Sequence, residues 1–86
     1  MRKKPADRKV LRYTAIFEAA KEGGYVVYFP ALPGCLTQGN TFEKAQENAQ
    51  EIATGYLKAL RKEGEEIPME TYGPIFTTVE VTTNVR

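Results

Sequence analysis

The chain has 86 residues, of which 42% are hydrophobic and 27% charged, and its formal net charge is +1. Those values describe one globular domain and exclude disordered and fibrous classes, while the near-neutral balance excludes a whole-molecule pull toward nucleic acid or membrane. A domain of this size buries only about 60–65% of the surface its unfolded chain would expose, so its core is thin and association is one source of further stability.

In chain order, residues 1–9, "MRKKPADRK", read as a flexible basic leader, and residues 10–86 as a single domain. Six of the twelve Lys and Arg fall between Arg2 and Arg12. Such an arm is either solvated or a contact for phosphate or an acidic patch. From Leu11 to Glu18 the chain alternates: Leu11, Tyr13, Ala15 and Phe17 on one side, Arg12, Thr14, Ile16 and Glu18 on the other. A period of two predicts a strand. Gly23-Gly24 permits a hairpin turn, and "YVVYF" (25–29) predicts a second strand. Tyr25, Val27 and Phe29 point one way, Val26 and Tyr28 the other. Both of its faces are apolar, as in a central strand.

Pro30 lacks the N–H that a sheet ladder needs and ends that strand. Pro33-Gly34 suits the two central positions of a type II turn. "CLTQG" (35–39) is then a short third strand. At Asn40 the period changes. Asn40, with Glu43 three residues on, reads as an N-cap, and Thr41 is the alternative. Apolar residues at 42, 45, 49, 52, 53, 56, 57 and 60 fill an arc of about 140°, which predicts a helix lying on a sheet. Gly64 is its expected stop and Pro68 prevents resumption. Gly55 lies off the arc without evident reason. "IFTTVEVTTNV" (75–85) closes the chain as a β-rich run and predicts a fourth strand, with Ile75, Thr77, Val79 and Val81 opposing Phe76, Thr78, Glu80 and Thr82.

The order β-β-β-α-β makes an α+β domain: one helix packed on a four-stranded mixed sheet. A right-handed crossover places strand four beside strand one, giving 3-2-1-4. One helix, about 10–12 Å across, cannot cover four strands spaced about 4.8 Å apart. The opposite sheet face, with Ile16 and Phe76 on it, is expected to remain for a partner chain or a second copy.

Catalytic chemistry is missing. The chain has no histidine, and its one aspartate, Asp7, lies in the leader. No pair of its ten glutamates is set by spacing for acid–base work or metal binding. Cys35 is the only cysteine, which excludes an internal disulfide, agrees with a reducing cytoplasm, and suits a small apolar turn residue better than a nucleophile. No apolar run nears the roughly 18 residues of a membrane helix, and no apolar h-region follows the charged N-terminus. The expectation is a cytoplasmic protein that is not an enzyme, with no cofactor and no metal or catalytic site.

Residues 13–60 resemble the HicB-type antitoxin family. The likeness rests on the aromatic-rich first strand, Gly24-Tyr25-Val26-Val27, the bend Leu32-Pro33-Gly34-Cys35, Thr37-Gln38-Gly39, and the helix start Thr41-Phe42-Glu43-Lys44-Ala45. The resemblance implies a reduced ribonuclease-H-like β-β-β-α-β core without the nuclease acids. It also implies a protein that binds a small HicA-type mRNA-cleaving toxin and blocks it sterically. Many members add a C-terminal DNA-binding domain. This sequence ends at Arg86 soon after strand four, so direct DNA binding is not expected. Alternatives are a nucleic-acid-binding regulator using the basic arm, or a homo-oligomeric domain (dimer or tetramer) without a toxin partner. For contact with toxin or sister subunit the residues singled out are Tyr25, Tyr28, Phe29, Leu32 and Phe76, core packing being the other use of each. Pro33 and Gly34 are assigned to the structural turn.

Overall fold

A computed structural model describes residues 10–70 and 73–84; the leader, 1–9, lies outside the described residues. Three strands, β1 (Ile16–Ala19), β2 (Tyr25–Tyr28) and β3 (Leu36–Gly39), precede one helix, α1 (Phe42–Lys62). The sheet is antiparallel throughout, in the order β1-β2-β3. The β-branched and aromatic strand is thus the central one.

Local chemistry sets each boundary. The β1–β2 turn closes through Gly23 and Gly24, both at positive φ, with the Ala20 N–H bonded to the Gly24 carbonyl at 2.9 Å. Ile16 faces Tyr28 across the ladder. Two pairs further out, Thr14 would face Pro30, which has no N–H to give. The ladder stops there, so β1 starts at Ile16 and not at Leu11. Tyr13, Ala15 and Phe17 nonetheless share the inward side.

After β2 the chain makes two consecutive tight turns. The Leu32 N–H bonds to the Phe29 carbonyl and the Cys35 N–H to the Leu32 carbonyl, each at 3.0 Å. Pro33 and Gly34 are the central pair of the second turn, and Gly34 has φ 83°, the conformation that a type II turn demands at that position. The bend turns Leu32 inward, where it is wholly buried. The Tyr56 hydroxyl on α1 donates to the Pro33 carbonyl at 2.8 Å and ties the bend to the helix.

Thr41, the alternative to Asn40, is the N-cap: its side chain accepts the Lys44 N–H at 3.0 Å. At the other end Gly64, at φ 75°, donates to the Arg61 carbonyl and Glu65 donates to that of Leu60. Those two bonds form a Schellman stop and satisfy carbonyls that the helix leaves open. Glu43 in the first turn and Arg61 and Lys62 in the last complement the helix dipole.

The core comprises Val27, Phe29, Leu32, Cys35, Ala45 and Ala49, with Tyr13, Ala15, Phe17, Tyr25, Ala53, Tyr56 and Leu57 around it. Burying Val27 and Leu32 completely is worth about 1.5–3 kcal/mol each. The helix approaches the sheet closely because Gly39 has no side chain: a Cβ there would lie 2.6 Å from the Ala45 Cα. That contact draws α1 over β3 and β2, and Phe42 in its first turn meets Phe17 of β1 with ring centroids 4.6 Å apart.

Among the described residues the expected fourth strand is not found: residues 73–82 belong to no strand, and all are exposed. The segment before them does reach β1: the Tyr13 hydroxyl donates to the Pro68 carbonyl, and the Thr14 N–H donates to Glu70 Oε1 at 2.7 Å. Beyond that anchor come Gly73 and Pro74, a residue with weak strand preference and one without a donor. The β-branched stretch begins only after them. The described sheet accordingly has three strands, and the order 3-2-1-4 is realised only as far as 3-2-1.

Candidate interaction surface

The two faces of the sheet differ in what lies on them. On one, Phe17, Val27 and Thr37 form a cross-strand row beneath α1, and Val27 has no exposed surface. On the other, Ile16, Tyr28 and Leu36 form a row, with Glu18, Val26 and Gln38 beside it. Among the described residues no layer packs on this second face. Ile16, Val26 and Tyr28 are half-buried by their neighbours, and Leu36 is 55% exposed. The Tyr28 hydroxyl makes a long, 3.5 Å contact with Glu18 Oε2. Three apolar side chains in one row, edged by Glu18 and Gln38, give the apolar centre and polar rim of a protein contact surface.

The five residues singled out from the sequence separate. Phe29 and Leu32 belong to the chain's own core, 7% and 0% exposed, and have no surface to offer. Tyr25 lies on the helix side, half-buried, edge-on to Phe42 with ring centroids 6.0 Å apart. Tyr28 is on the open face. Phe76, 67% exposed, lies in the unpaired C-terminal segment together with Ile75, Val79 and Val81. The structure therefore does not bring the five together. Leu36 and Val26 complete the open face beside Tyr28, and Leu36 was missed. Its signal was in the alternation of "CLTQG", where Cys35 inward puts Leu36 outward.

The ionisable groups here hold structure in place. Two hydrogen bonds from Thr14, one from its side chain and one from its N–H, hold the Glu70 carboxyl below the usual carboxylate range. Burial, then the nearby Glu70 charge, raises the Tyr13 hydroxyl, and burial raises the Cys35 thiol. A thiol pushed up in this way is mostly protonated at neutral pH and a poor nucleophile. Among the described residues no three His, Cys, Asp or Glu side chains are grouped to hold a metal. Among the same residues no helix is long and apolar enough to cross a membrane.

The comparisons with known proteins decide the family. A model described as "HicB_like antitoxin of bacterial toxin-antitoxin system" matches residues 13–80. The chain belongs to the HicB-like antitoxin family. It is similar to the UPF0150 protein Ta0767 of Thermoplasma acidophilum, 43% identical over 70% of this chain and 87% of that protein. Antitoxin HicB 1 of Photorhabdus laumondii is 39% identical over 78% of this chain, and antitoxin HicB of Escherichia coli K12 is 36% identical over 69%. The matched regions are only 42% and 43% of those two antitoxins' lengths. In fold the chain is similar to one in the solved "HicA3 and HicB3 toxin-antitoxin complex", with a TM-score of 0.58 and 33% identity over 73% of this chain and 70% of the other. For a member of this family, an open apolar sheet face without catalytic groups suits a binding role.

Proposed function

We propose that this protein is an antitoxin that binds a small HicA-type mRNA-cleaving toxin and silences it by covering its RNA-binding surface. The observation that carries the reading is the likeness, in sequence and fold, to a chain of a HicA3–HicB3 complex. The open row Ile16–Tyr28–Leu36 supports it, because it supplies an aromatic anchor amid apolar neighbours at the centre of one face. The mechanism is steric. A ribonuclease needs its groove free for RNA, and a partner burying about 1,200–2,000 Å² of total surface holds tightly enough to deny access. Nothing in this needs an acid, a base or a metal from the antitoxin.

The test is to co-express the chain with a HicA-type toxin, expected as a reading frame beside its gene, and to titrate purified chain into that toxin's RNA-cleavage assay. A co-purifying complex and cleavage that falls to background near stoichiometric addition support the reading. Full cleavage at a large excess of antitoxin removes it. Leu36→Glu, which places a charge in the open row without touching the core, is expected to weaken the complex by about 1–3 kcal/mol, about fivefold to 150-fold in Kd.

A further inference from the structure

The outer surface of α1 carries a charge order that the helix itself does not ask for. Along the line farthest from the sheet run Glu47, Glu51, Thr54, Gly55, Lys58 and Lys62, all exposed. Acid occupies the first half of that line and base the second. The helix dipole accounts for Glu43, Arg61 and Lys62, which stand in the first and last turns. Its effect fades within those turns and does not reach Glu47, Glu51 or Lys58. Within the helix the order is unfavourable: Glu47 and Glu51, and again Lys58 and Lys62, are like charges four residues apart. Among the described residues the one in-chain ion pair on this line joins Lys44 to Glu47, at 3.5 Å.

At the middle lies Gly55, which costs the helix about 1 kcal/mol against Ala. A Cβ there would meet nothing within 4 Å, so the chain's own packing does not require a glycine. The missing side chain leaves a shallow groove lined by Glu47, Gln50, Glu51, Thr54 and Lys58. The Thr54 hydroxyl donates back to the Gln50 carbonyl at 2.7 Å, which holds it against the helix. The line is thus lowest at its centre and oppositely charged at its two ends.

We infer that the outer face of α1 binds the same face of a second copy, antiparallel, about a twofold axis that passes between Thr54 and Gly55. Glu51 and Lys58 stand three positions to either side of that pair, and Glu47 and Lys62 seven. The axis therefore sets Glu51 of each copy opposite Lys58 of the other, and Glu47 opposite Lys62, so the face is complementary to itself. Gly55 lets the two backbones close toward the lower end, about 8 Å, of helix–helix separations. A strip about 30 Å long and about 10 Å wide on each copy buries about 600 Å² in total, half of what a tight complex uses. The dimer is accordingly weak, held by charge and loosened by salt. Because α1 lies across the sheet from the open row Ile16–Tyr28–Leu36, this pairing leaves that row free, and the inference stands independently of toxin binding.

Sedimentation equilibrium of the full chain at up to millimolar concentration, in low and high salt, tests it. A dimer is expected in low salt, its Kd rising about tenfold or more in about 0.5 M NaCl. Lys58→Glu, which sets a carboxylate against Glu51, is expected to weaken it by about tenfold or more, and Glu51→Lys added to Lys58→Glu to restore it. Lys58→Glu also gives Lys62 an acid four residues before it, which supports the helix. Gly55→Gln fills the groove with a good helix former and is expected to give a monomer with a raised denaturation midpoint. A chain that stays monomeric at millimolar concentration in low salt overturns the inference. So does a dimer indifferent to salt, a dimer that survives Lys58→Glu and Gly55→Gln, or a double variant no better associated than Lys58→Glu alone.

Discussion

β2, "YVVY", and the C-terminal "IFTTVEV" are both rich in β-branched and aromatic residues, yet one is the centre of the sheet and the other is exposed and in no strand. The difference lies in what each can reach. β2 is joined to β1 by a two-glycine turn and to β3 by a bend whose own hydrogen bonds return the chain antiparallel. Both its edges are filled by local partners, and α1 seals one of its faces. Residues 75–82 follow a connection anchored at Glu70, five residues short of them, with Pro74 intervening. Strand preference is a fit to a half-buried pleated surface, and without such a surface it produces no strand.

That contrast can be broken by substitution, and the largest effect belongs on the packed side. Leu32→Ala leaves a cavity under the bend and is expected to cost 2–5 kcal/mol in urea denaturation; a cost below about 1 kcal/mol would mean that the bend is not packed. Gly55 stands on the helix's outer surface, where a Cβ would meet nothing within 4 Å. Gly55→Ala is therefore expected to stabilise the protein by about 1 kcal/mol, read as a higher denaturation midpoint.

The Glu70 anchor responds to pH. Its carboxyl is held below the ordinary range in the folded chain, so its contribution is complete above the unfolded carboxylate's value and is lost as pH falls through the folded value. The amide resonance of Thr14 is expected to shift, and its protection relative to the intrinsic exchange rate to fall, over that acidic window, and Glu70→Gln to flatten the change. The smallest effect belongs to the unpaired stretch. Val79→Ser should alter the stability by no more than about 0.5 kcal/mol, read in the same denaturation.

Much of the body was legible in the sequence because its signals are local. The three strands, their turns, the arc of α1 and its stop at Gly64 each follow from residues within a few positions of one another. The inward set Tyr13, Ala15 and Phe17 was readable from alternation even though β1 itself is shorter than that pattern. The fourth strand was misread because its fate is set by a long-range fact: where Thr14 holds Glu70, 56 residues away. The open face was partly legible, since Tyr28 and Ile16 follow from alternation, whereas assigning Phe29 and Leu32 to a contact surface overlooked that the Pro33-Gly34 turn folds Leu32 back into the core.

Amide hydrogen exchange followed over a dilution series addresses the contrast most directly. Residues 25–28 should be protected, while 75–82 should exchange freely in dilute solution. Equal protection of 75–82 at the lowest concentration would mean that the segment finds its partner within its own chain, and the difference between the two regions described above would not exist.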